Sequence, residues 1–149
     1  MQLTKYTDYA LRVLLYLGQH PDQRVTIDDL AGHYGISRNH LSKIVHDLSL
    51  AGFIRSTRGR GGGLRLGAAA ETISIAAVVR HTEPSMALVE CFQTGSTCNL
   101  ESDCVLKHVL QRAQDSFMQV LALFTLADLL ARQQRRDPTM MIQGIGLKD

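Results

Sequence analysis

The stretch TIDDLAGHYGISRNHLSKIVHDL, residues 26–48, decides the fold of this chain. Thr26 followed three residues later by Asp29 resembles a capping box and predicts that a helix starts there. Gly35-Ile36 predicts a tight turn, and Ser37 is a favourable N-cap for the next helix. Helical spacing gives each helix one apolar face, namely Ile27, Leu30, Ala31 and Tyr34 in the first and Leu41, Ile44, Val45 and Leu48 in the second. A short helix, a tight turn and a longer helix together form a helix-turn-helix.

The flanking segments extend this unit into a winged helix-turn-helix. Residues 3–19 predict a preceding helix, since Ala10, Val13, Leu14 and Leu17 fall on one face. Downstream, two strand-like pieces, Phe53–Thr57 and Leu64–Leu66, flank a glycine-rich tip and predict a hairpin. The expected fold class is therefore mainly α, with a two-stranded wing.

A further short helix is predicted over residues 74–82, capped by Ser74 and stopped by Pro84. It closes the predicted winged helix-turn-helix DNA-binding domain, residues 1–83. A polar loop, residues 84–104, follows that domain.

The start of the third helix and the hairpin indicate a nucleic-acid-binding surface. Recognition helices present their N-terminal residues to base edges, where Arg pairs with guanine and Asn with adenine. No acidic residue lies between Asp47 and Glu71, and an arginine at the wing tip can enter a minor groove. The candidate DNA-contacting residues are Ser37, Arg38, Asn39, His40 and Lys43 in the helix, and Arg58, Arg60, Gly61 and Arg65 in the hairpin.

Two other interpretations of the hairpin stay open at this point. Its arginines could form an ordinary solvated face. The glycine run could instead cradle a nucleotide phosphate, although it lacks the Gly-Lys-Ser/Thr ending and no helix follows it.

All three cysteines of the chain, Cys91, Cys98 and Cys104, lie in one short polar segment. Thiolates brought together by a loop are typical ligands of a soft metal or a cluster. An iron–sulfur cluster, structural zinc, a thiol switch and no function are all compatible with the residues, although the spacing differs from the close cysteine pairs that zinc prefers. A fourth ligand could come from a partner chain, with Asp8 as a candidate, or from His81, Glu90, Glu101, Asp103 or His108.

The segment after Cys104 predicts a long helix with a heptad seam, which is typical of helix pairing. The seam residues are Leu106, Leu110, Ala113, Phe117, Val120 and Phe124. A short helix starting near Thr125 is expected to pack back on the long one, and residues 137–149 are expected to form a disordered tail.

The length and composition fit either one ordinary globular domain or a small domain plus an arm. The 149 residues are 45% hydrophobic and 20% charged, with a net charge of +2. No apolar run reaches the length of a membrane span. The start of the chain has no signal-like segment, so a cytoplasmic location with reduced thiols is expected.

The chain resembles the Rrf2-type family of winged-helix regulators, and in particular its nitric-oxide-sensing branch. The resemblance covers residues 1 to about 135. The motifs that carry it are Met1-Gln2-Leu3-Thr4, Thr7-Asp8-Tyr9, Gly35-Ile36-Ser37-Arg38-Asn39-His40-Leu41, Lys43-Ile44, Arg58-Gly59, Gly62-Gly63, Arg65-Leu66-Gly67 and Thr125-Leu126-Ala127-Asp128-Leu129.

The resemblance implies a homodimer on palindromic operator DNA, paired through a dimerisation helix over residues 105–136. It implies an iron–sulfur cluster on Cys91, Cys98 and Cys104 in the loop 84–104, with [4Fe–4S] expected in preference to [2Fe–2S]. Asp8 of the partner subunit matches an acidic ligand of the nitric-oxide-sensing branch. Another branch uses a histidine three residues after the last cysteine, where this chain has Lys107.

These features predict a transcriptional repressor, not an enzyme, that leaves DNA when nitric oxide attacks its cluster. The alternative is a regulator of the same fold that senses redox state or iron–sulfur status. Asp8 also has a simpler interpretation, as a first-turn carboxylate favoured by the helix dipole.

Overall fold

The structure is a computed structural model that describes residues 2–57, 59, 61–98 and 104–135. Residues 134 and 135 are described through their backbone only. Within these ranges it contains six α-helices and one two-stranded sheet, plus short 3₁₀ turns at Ala70–Thr72 and Glu90–Phe92. The elements are α1 Lys5–Gln19, α2 Ile27–Tyr34, α3 Arg38–Leu50, β1 Ile54–Ser56, β2 Leu64–Leu66, α4 Ile75–Thr82, α5 Val105–Ala122 and α6 Leu126–Arg135.

The main core lies between α1 and α3. The predicted apolar faces of both helices are buried, comprising Ala10, Val13, Leu14 and Leu17 of α1 and Leu41, Ile44, Val45 and Leu48 of α3. In α2 only Leu30 is buried, while Ile27, Ala31 and Tyr34 pack against the core and stay partly accessible. This burial fixes which side of α3 is left for solvent.

The helix starts around the turn follow the local sequence. Thr26 and Asp29 form a reciprocal capping box at α2, which satisfies backbone donors that no helical carbonyl reaches. Gly35 ends α2 in the left-handed region at φ 65°, a conformation that costs glycine little. The Ser37 side chain accepts a hydrogen bond from His40 N and so caps α3.

The wing is an antiparallel pair in which Ile54 faces Leu66, Arg55 faces Arg65 and Ser56 faces Leu64. The first strand is shorter than predicted, because Phe53 N donates to Leu48 O at 2.9 Å and so closes the end of α3. At the base of the wing, a Cβ on Gly67 would stand 2.2 Å from Gly52 O, so this close backbone approach requires glycine.

The start of α4 differs from the expectation. Ser74 occupies the N-cap position but makes no side-chain cap hydrogen bond. Instead, Ile75 N donates to Phe124 O at 3.0 Å, and Leu126 N donates to Ile73 O at 2.8 Å. The corner between α5 and α6 therefore satisfies the start of α4 through tertiary contacts.

The two C-terminal helices pack on different partners. Met118 of α5 is buried with Ala76 and Val79 of α4. The last helix was expected to pack back on the long one. Its main packing partners are instead α1 and the turn Ala70–Thr72, so that expectation is wrong. Leu126 is fully buried in the main core.

No helix in the described ranges is long and apolar enough to cross a membrane. The proposed domain limits, 1–83, 84–104 and 105–136, remain predictions, and the predicted tail 137–149 lies outside the described residues.

Candidate nucleic-acid interface and metal centre

The first turn of α3 presents a polar surface to solvent. Every candidate contact in this helix is exposed, namely Ser37, Arg38, Asn39, His40 and Lys43. The opposite face of the same helix is buried in the core. A helix N-terminus with free donors at this position favours an anion such as a phosphate.

Arg38 at this surface is paired with Asp28 of α2. Its Nε lies 2.8 Å from Asp28 Oδ1, with both side chains largely exposed. Since the closest contact is made by Nε, the two terminal nitrogens stay available to a base edge. Such an exposed pair contributes little to stability but restricts where the guanidinium can lie. No local sequence pattern indicated Asp28, because its partner lies on the next helix.

The wing places two like charges directly opposite each other. Arg55 and Arg65 are register partners, and both are exposed. Like charges in this arrangement are destabilising, and neither arginine has an ion pair within the described part of the chain. Gly61 is exposed at φ 84°, whereas Arg58 and Arg60 lie outside the described residues.

A polar junction that the sequence analysis missed joins α3 to two other helices. The Tyr6 hydroxyl of α1 donates to Asp47 Oδ2 at 3.0 Å, and His81 Nε2 of α4 lies 3.1 Å from Asp47 Oδ1. Burial and the hydrogen bond to Asp47 raise the pKa of Tyr6 to about 12. The three residues are too far apart in sequence for a local pattern to link them.

The three cysteines line one cavity of about 230 Å³ and are free thiols. Cys91 lies in the turn Glu90–Phe92, Cys98 follows in the loop, and Cys104 is the N-cap residue of α5. The other lining residues are Val89, Glu90, Leu106, Lys107 and Leu110.

These three thiols are the donor type that binds a soft metal or a cluster. In the part of the chain that the structure describes, no three His, Cys, Asp or Glu side chains converge closely enough to hold one metal ion. Ligands of a cluster bind different irons, so their sulfur atoms need not meet at one point. Three soft thiols around one partly apolar cavity are compatible with that arrangement.

The candidate fourth ligands are distributed around the molecule. Glu90 lines the cavity, but its Oε1 accepts hydrogen bonds from Thr97 N at 3.3 Å and Thr97 Oγ1 at 3.1 Å. His81 is engaged by Asp47, and His108 is exposed. Glu101 and Asp103 lie outside the described residues.

Asp8 is absent from the residues lining the cysteine cavity of its own chain. Arg12 holds its carboxylate at two points, with Nε donating to Oδ1 at 3.0 Å and a terminal nitrogen 2.8 Å from Oδ2. This contact raises the pKa of the Arg12 guanidinium. The carboxylate of Asp8 is therefore already engaged by Arg12 in the single chain.

The N-terminal half of α5 exposes a strip of apolar residues. Val105 is 74% exposed, Leu106 63% and Val109 56%. Monomeric proteins rarely expose adjacent large apolar side chains without a partner. The strip begins beside Cys104 and contains Leu106, the first residue of the predicted heptad seam.

Sequence comparison assigns relatives along nearly the whole chain. The profile described as Rrf2, iron-dependent transcriptional regulator, matches residues 3–132. The HTH-type transcriptional regulator NsrR of Bacillus licheniformis is 46% identical over 135 residues, which cover 89% of this chain and 94% of that protein. The NsrR of Geobacillus kaustophilus is 49% identical over 132 residues, covering 87% and 90%. Transcriptional regulation is a non-enzymatic role.

Structural comparison gives the same fold. CymR, the global cysteine regulator of B. subtilis, superposes with a TM-score of 0.73 at 26% identity, covering 88% of this chain and 97% of that one. T. potens IscR gives a TM-score of 0.73 at 25% identity, covering 97% and 94%. The mainly α, winged helix-turn-helix fold predicted from the sequence is thereby confirmed.

Proposed function

Because the chain belongs to the Rrf2 family of iron-dependent transcriptional regulators, we propose that it is a dimeric repressor that leaves operator DNA when nitric oxide reacts with its iron–sulfur cluster. The observation that carries this proposal is the common cavity of Cys91, Cys98 and Cys104. It occurs in a chain that resembles proteins named NsrR over most of its length.

The DNA-reading surface in this proposal is the start of α3 together with the wing. The exposed residues Ser37, Arg38, Asn39, His40 and Lys43 would enter the major groove. Arg65 and Gly61, with Arg58 and Arg60 from the sequence prediction, would approach the sugar-phosphate backbone or a minor groove. Arg55 and Arg65 have no ion pair among the described residues, which supports an anionic partner at this position.

The cluster site in this proposal is formed by Cys91, Cys98 and Cys104, with [4Fe–4S] expected in preference to [2Fe–2S]. A bound cluster supplies irons that react with nitric oxide. The chain itself would supply three thiolates from the loop 84–104, and Val89, Leu106 and Leu110 add apolar side chains to the cavity lining. Because Cys104 is the residue that precedes α5, the way its thiolate is held acts directly on the first turn of that helix.

The dimer in this proposal forms along α5. The exposed strip of Val105, Leu106 and Val109 supports a second copy as its partner. A neighbouring cavity of about 360 Å³ includes Leu3, Met86, Leu110 and Phe117 in its lining, so the apolar surface continues from α5 towards the N-terminus. Burial of both surfaces in one interface would join the cysteine loop of one protomer to α1 of its partner.

The fourth cluster ligand in this proposal is Asp8 of the partner subunit. Support comes from its partly exposed position in the first turn of α1 and from the family resemblance of Thr7-Asp8-Tyr9. A carboxylate is a harder donor than a thiolate, so it makes one position of the donor set weaker than the others. Held at the cluster, Asp8 would connect the cysteine cavity of one protomer to α1 of the other, the helix that packs against α3.

The test is an anaerobic titration of the full chain with nitric oxide. Absorption together with iron and sulfide assays would identify the cluster, and fluorescence anisotropy would follow release of a DNA duplex selected in vitro by the wild-type protein. We expect cluster bleaching and DNA release to run in parallel. Cys91→Ala, Cys98→Ala and Cys104→Ala should each lose the cluster.

Hydrogen peroxide provides the matched control for the sensed signal. Release of DNA by peroxide, but not by nitric oxide, would favour the alternative regulator that senses redox state or iron–sulfur status. Anaerobic protein without iron or sulfide would overturn the cluster proposal and leave only the DNA-binding regulator.

A further inference from the structure

The junction at Asp47 is unusual for its place in α3. Asp47 lies in the last turn of the helix Arg38–Leu50, where the dipole disfavours a carboxylate. Its two partners, Tyr6 and His81, come from two other helices. The Asp47 carboxylate thus lies at an unfavourable helix position and contacts side chains of both α1 and α4, which indicates a specific role for Asp47.

We propose that Asp47 is a positioning residue through which α1 and α4 set the orientation of the DNA-reading helix, and that it thereby controls discrimination between operator and other DNA. This inference deepens the proposed function and rests on the DNA-reading role of α3, independently of the cluster.

The contact from α1 reaches α3 beside its predicted DNA-contacting face. The Tyr6 ring packs against the main core, while its hydroxyl lies 3.0 Å from Asp47 Oδ2 and 3.5 Å from the carbonyl oxygen of Lys43. Lys43 and Asp47 are one helical turn apart, so a single hydroxyl fixes both the position and the rotation of that turn. Lys43 is itself one of the predicted DNA contacts.

The contact from α4 connects α3 indirectly to α5, the helix that begins after Cys104. The His81 ring meets the Phe53 ring edge-on, with centroids 5.9 Å apart, as its Nε2 approaches Asp47. The other face of α4 packs on Met118 of α5 through Ala76 and Val79. A displacement of α5 against the core therefore has a direct physical route to Asp47.

A second tie between α1 and α4 makes these helices a frame for α3. Glu83, at the end of α4, accepts hydrogen bonds from Thr4 N at 2.8 Å and from Thr4 Oγ1 at 3.1 Å. The Asp47 and His81 side chains remain about one-third exposed. Contacts of this kind add little to global stability, but they can select one orientation of an already folded helix.

The experiment compares Asp47→Ala with Asp22→Ala in the full-length, anaerobically prepared protein. Asp22 is an exposed acid with no ion pair among the described residues, so both variants lose the same charge. The measured quantity is the ratio of affinities for a duplex selected in vitro by the wild type and for a scrambled duplex at one salt concentration. The thermal unfolding midpoint is recorded beside it.

We expect Asp47→Ala to lower this affinity ratio about tenfold, which is the scale of one displaced base contact. The affinities of Asp47→Ala and Asp22→Ala for the scrambled duplex should be equal. Tyr6→Phe keeps the core ring, and His81→Phe keeps a ring against Phe53; each should lower the ratio without moving the midpoint. The double variant Tyr6→Phe/Asp47→Ala should lose no more than Asp47→Ala alone.

Equal ratios for Asp47→Ala, Tyr6→Phe and Asp22→Ala would overturn the inference. A fall in affinity for both duplexes together with a lower midpoint would assign Asp47 a purely structural role and would overturn it as well. A wild-type chain that selects no duplex would overturn the DNA-reading function itself, which is a different and distinguishable result.

Discussion

At the residue scale, Arg38 and Arg65 of the proposed DNA-reading surface occupy different environments. Arg38 is held by Asp28 with its Nε 2.8 Å from the carboxylate, whereas Arg65 lies opposite Arg55 without a counter-charge among the described residues. A restrained guanidinium suits a base edge, which must be met in one geometry. A pair of unneutralised arginines suits phosphates, which attract charge without a sequence code.

Arg38→Ala and Arg65→Ala should therefore weaken DNA binding in different ways. Arg38→Ala should lower operator affinity by about 1–3 kcal/mol and relax preference at one base pair. Arg65→Ala should lower affinity evenly for all duplexes and reduce the salt slope by about one unit, with unchanged or slightly higher thermal stability because a like-charge pair is removed. Anisotropy titrations at several salt concentrations measure both effects.

Arg80→Ala is the matched control, since Arg80 is exposed on α4 outside the proposed surface. An even loss for Arg38→Ala across all sequences would show that Arg38 contacts phosphate and does not read a base.

At the element scale, the helix starts divide into those set locally and those set by distant contacts. The capping box of Thr26 and Asp29 was predictable because both partners lie within four residues. Ser74 was predicted as a side-chain cap, but the start of α4 is satisfied by the Phe124 carbonyl, which is fifty residues away. Met118 of α5 packs on α4, and α6 packs on α1; both contacts also join elements that are distant in sequence. Local sequence patterns therefore predict the elements and their exposed residues, whereas tertiary contacts decide the packing partners and the junction at Asp47.

The two acidic capping residues predict how stability changes with pH. Hydrogen bonds from Thr26 lower the pKa of Asp29, and those from Thr125 lower the pKa of Asp128. A lowered pKa in the folded state means that each carboxylate stabilises the fold above its unfolded pKa and loses that contribution as pH falls through the folded value. The unfolding midpoint should thus decline as pH falls below about 4.

Asp29→Asn tests this assignment. The variant should be less stable than wild type near pH 7, and the difference should shrink as acid protonates Asp29 in the wild type. Asp22→Asn is the exposed control. A stability difference that stays constant from pH 7 to the acid limit would show that the hydrogen-bonded charge of Asp29 has no part in it.

At the scale of the whole molecule, a single chain leaves its α5 surface incomplete. The strip of Val105, Leu106 and Val109 is exposed. By contrast, Phe117 and Leu121 of the same helix pack against the buried residues Ala76, Val79 and Met118. A single chain thus covers apolar residues in the C-terminal part of α5 and leaves those in its N-terminal part exposed. In the proposed dimer, a second copy would cover the exposed N-terminal part and bring its own α1 towards the cysteine loop.

Leu106→Glu should separate the protomers without unfolding them. Leu106 is 63% exposed in the single chain, so the new charge is buried only if a partner covers it. Sedimentation should show a monomer, while circular dichroism should show helical content like that of wild type. Gln111→Glu, on the opposite side of α5, should remain a dimer. A Leu106→Glu protein that stays dimeric would place the interface elsewhere.

Mixed dimers provide the sharpest test of Asp8, because they separate a ligand from the same chain from a ligand supplied by the partner. In the first mixture, one protomer carries Asp8→Ala with intact cysteines, and its partner carries Asp8 with Cys91→Ala, Cys98→Ala and Cys104→Ala. If Asp8 acts across the dimer, the single complete cysteine set keeps its carboxylate, and the cluster should show the wild-type spectrum. In the second mixture, one protomer carries all four substitutions beside a wild-type chain. The intact cysteines then face a partner without Asp8, so the spectrum should shift and the response to nitric oxide should change.

The opposite assignment of the two spectra would identify Asp8 as a ligand within its own chain. Identical wild-type spectra in both mixtures would leave Asp8 as a partner of Arg12 alone.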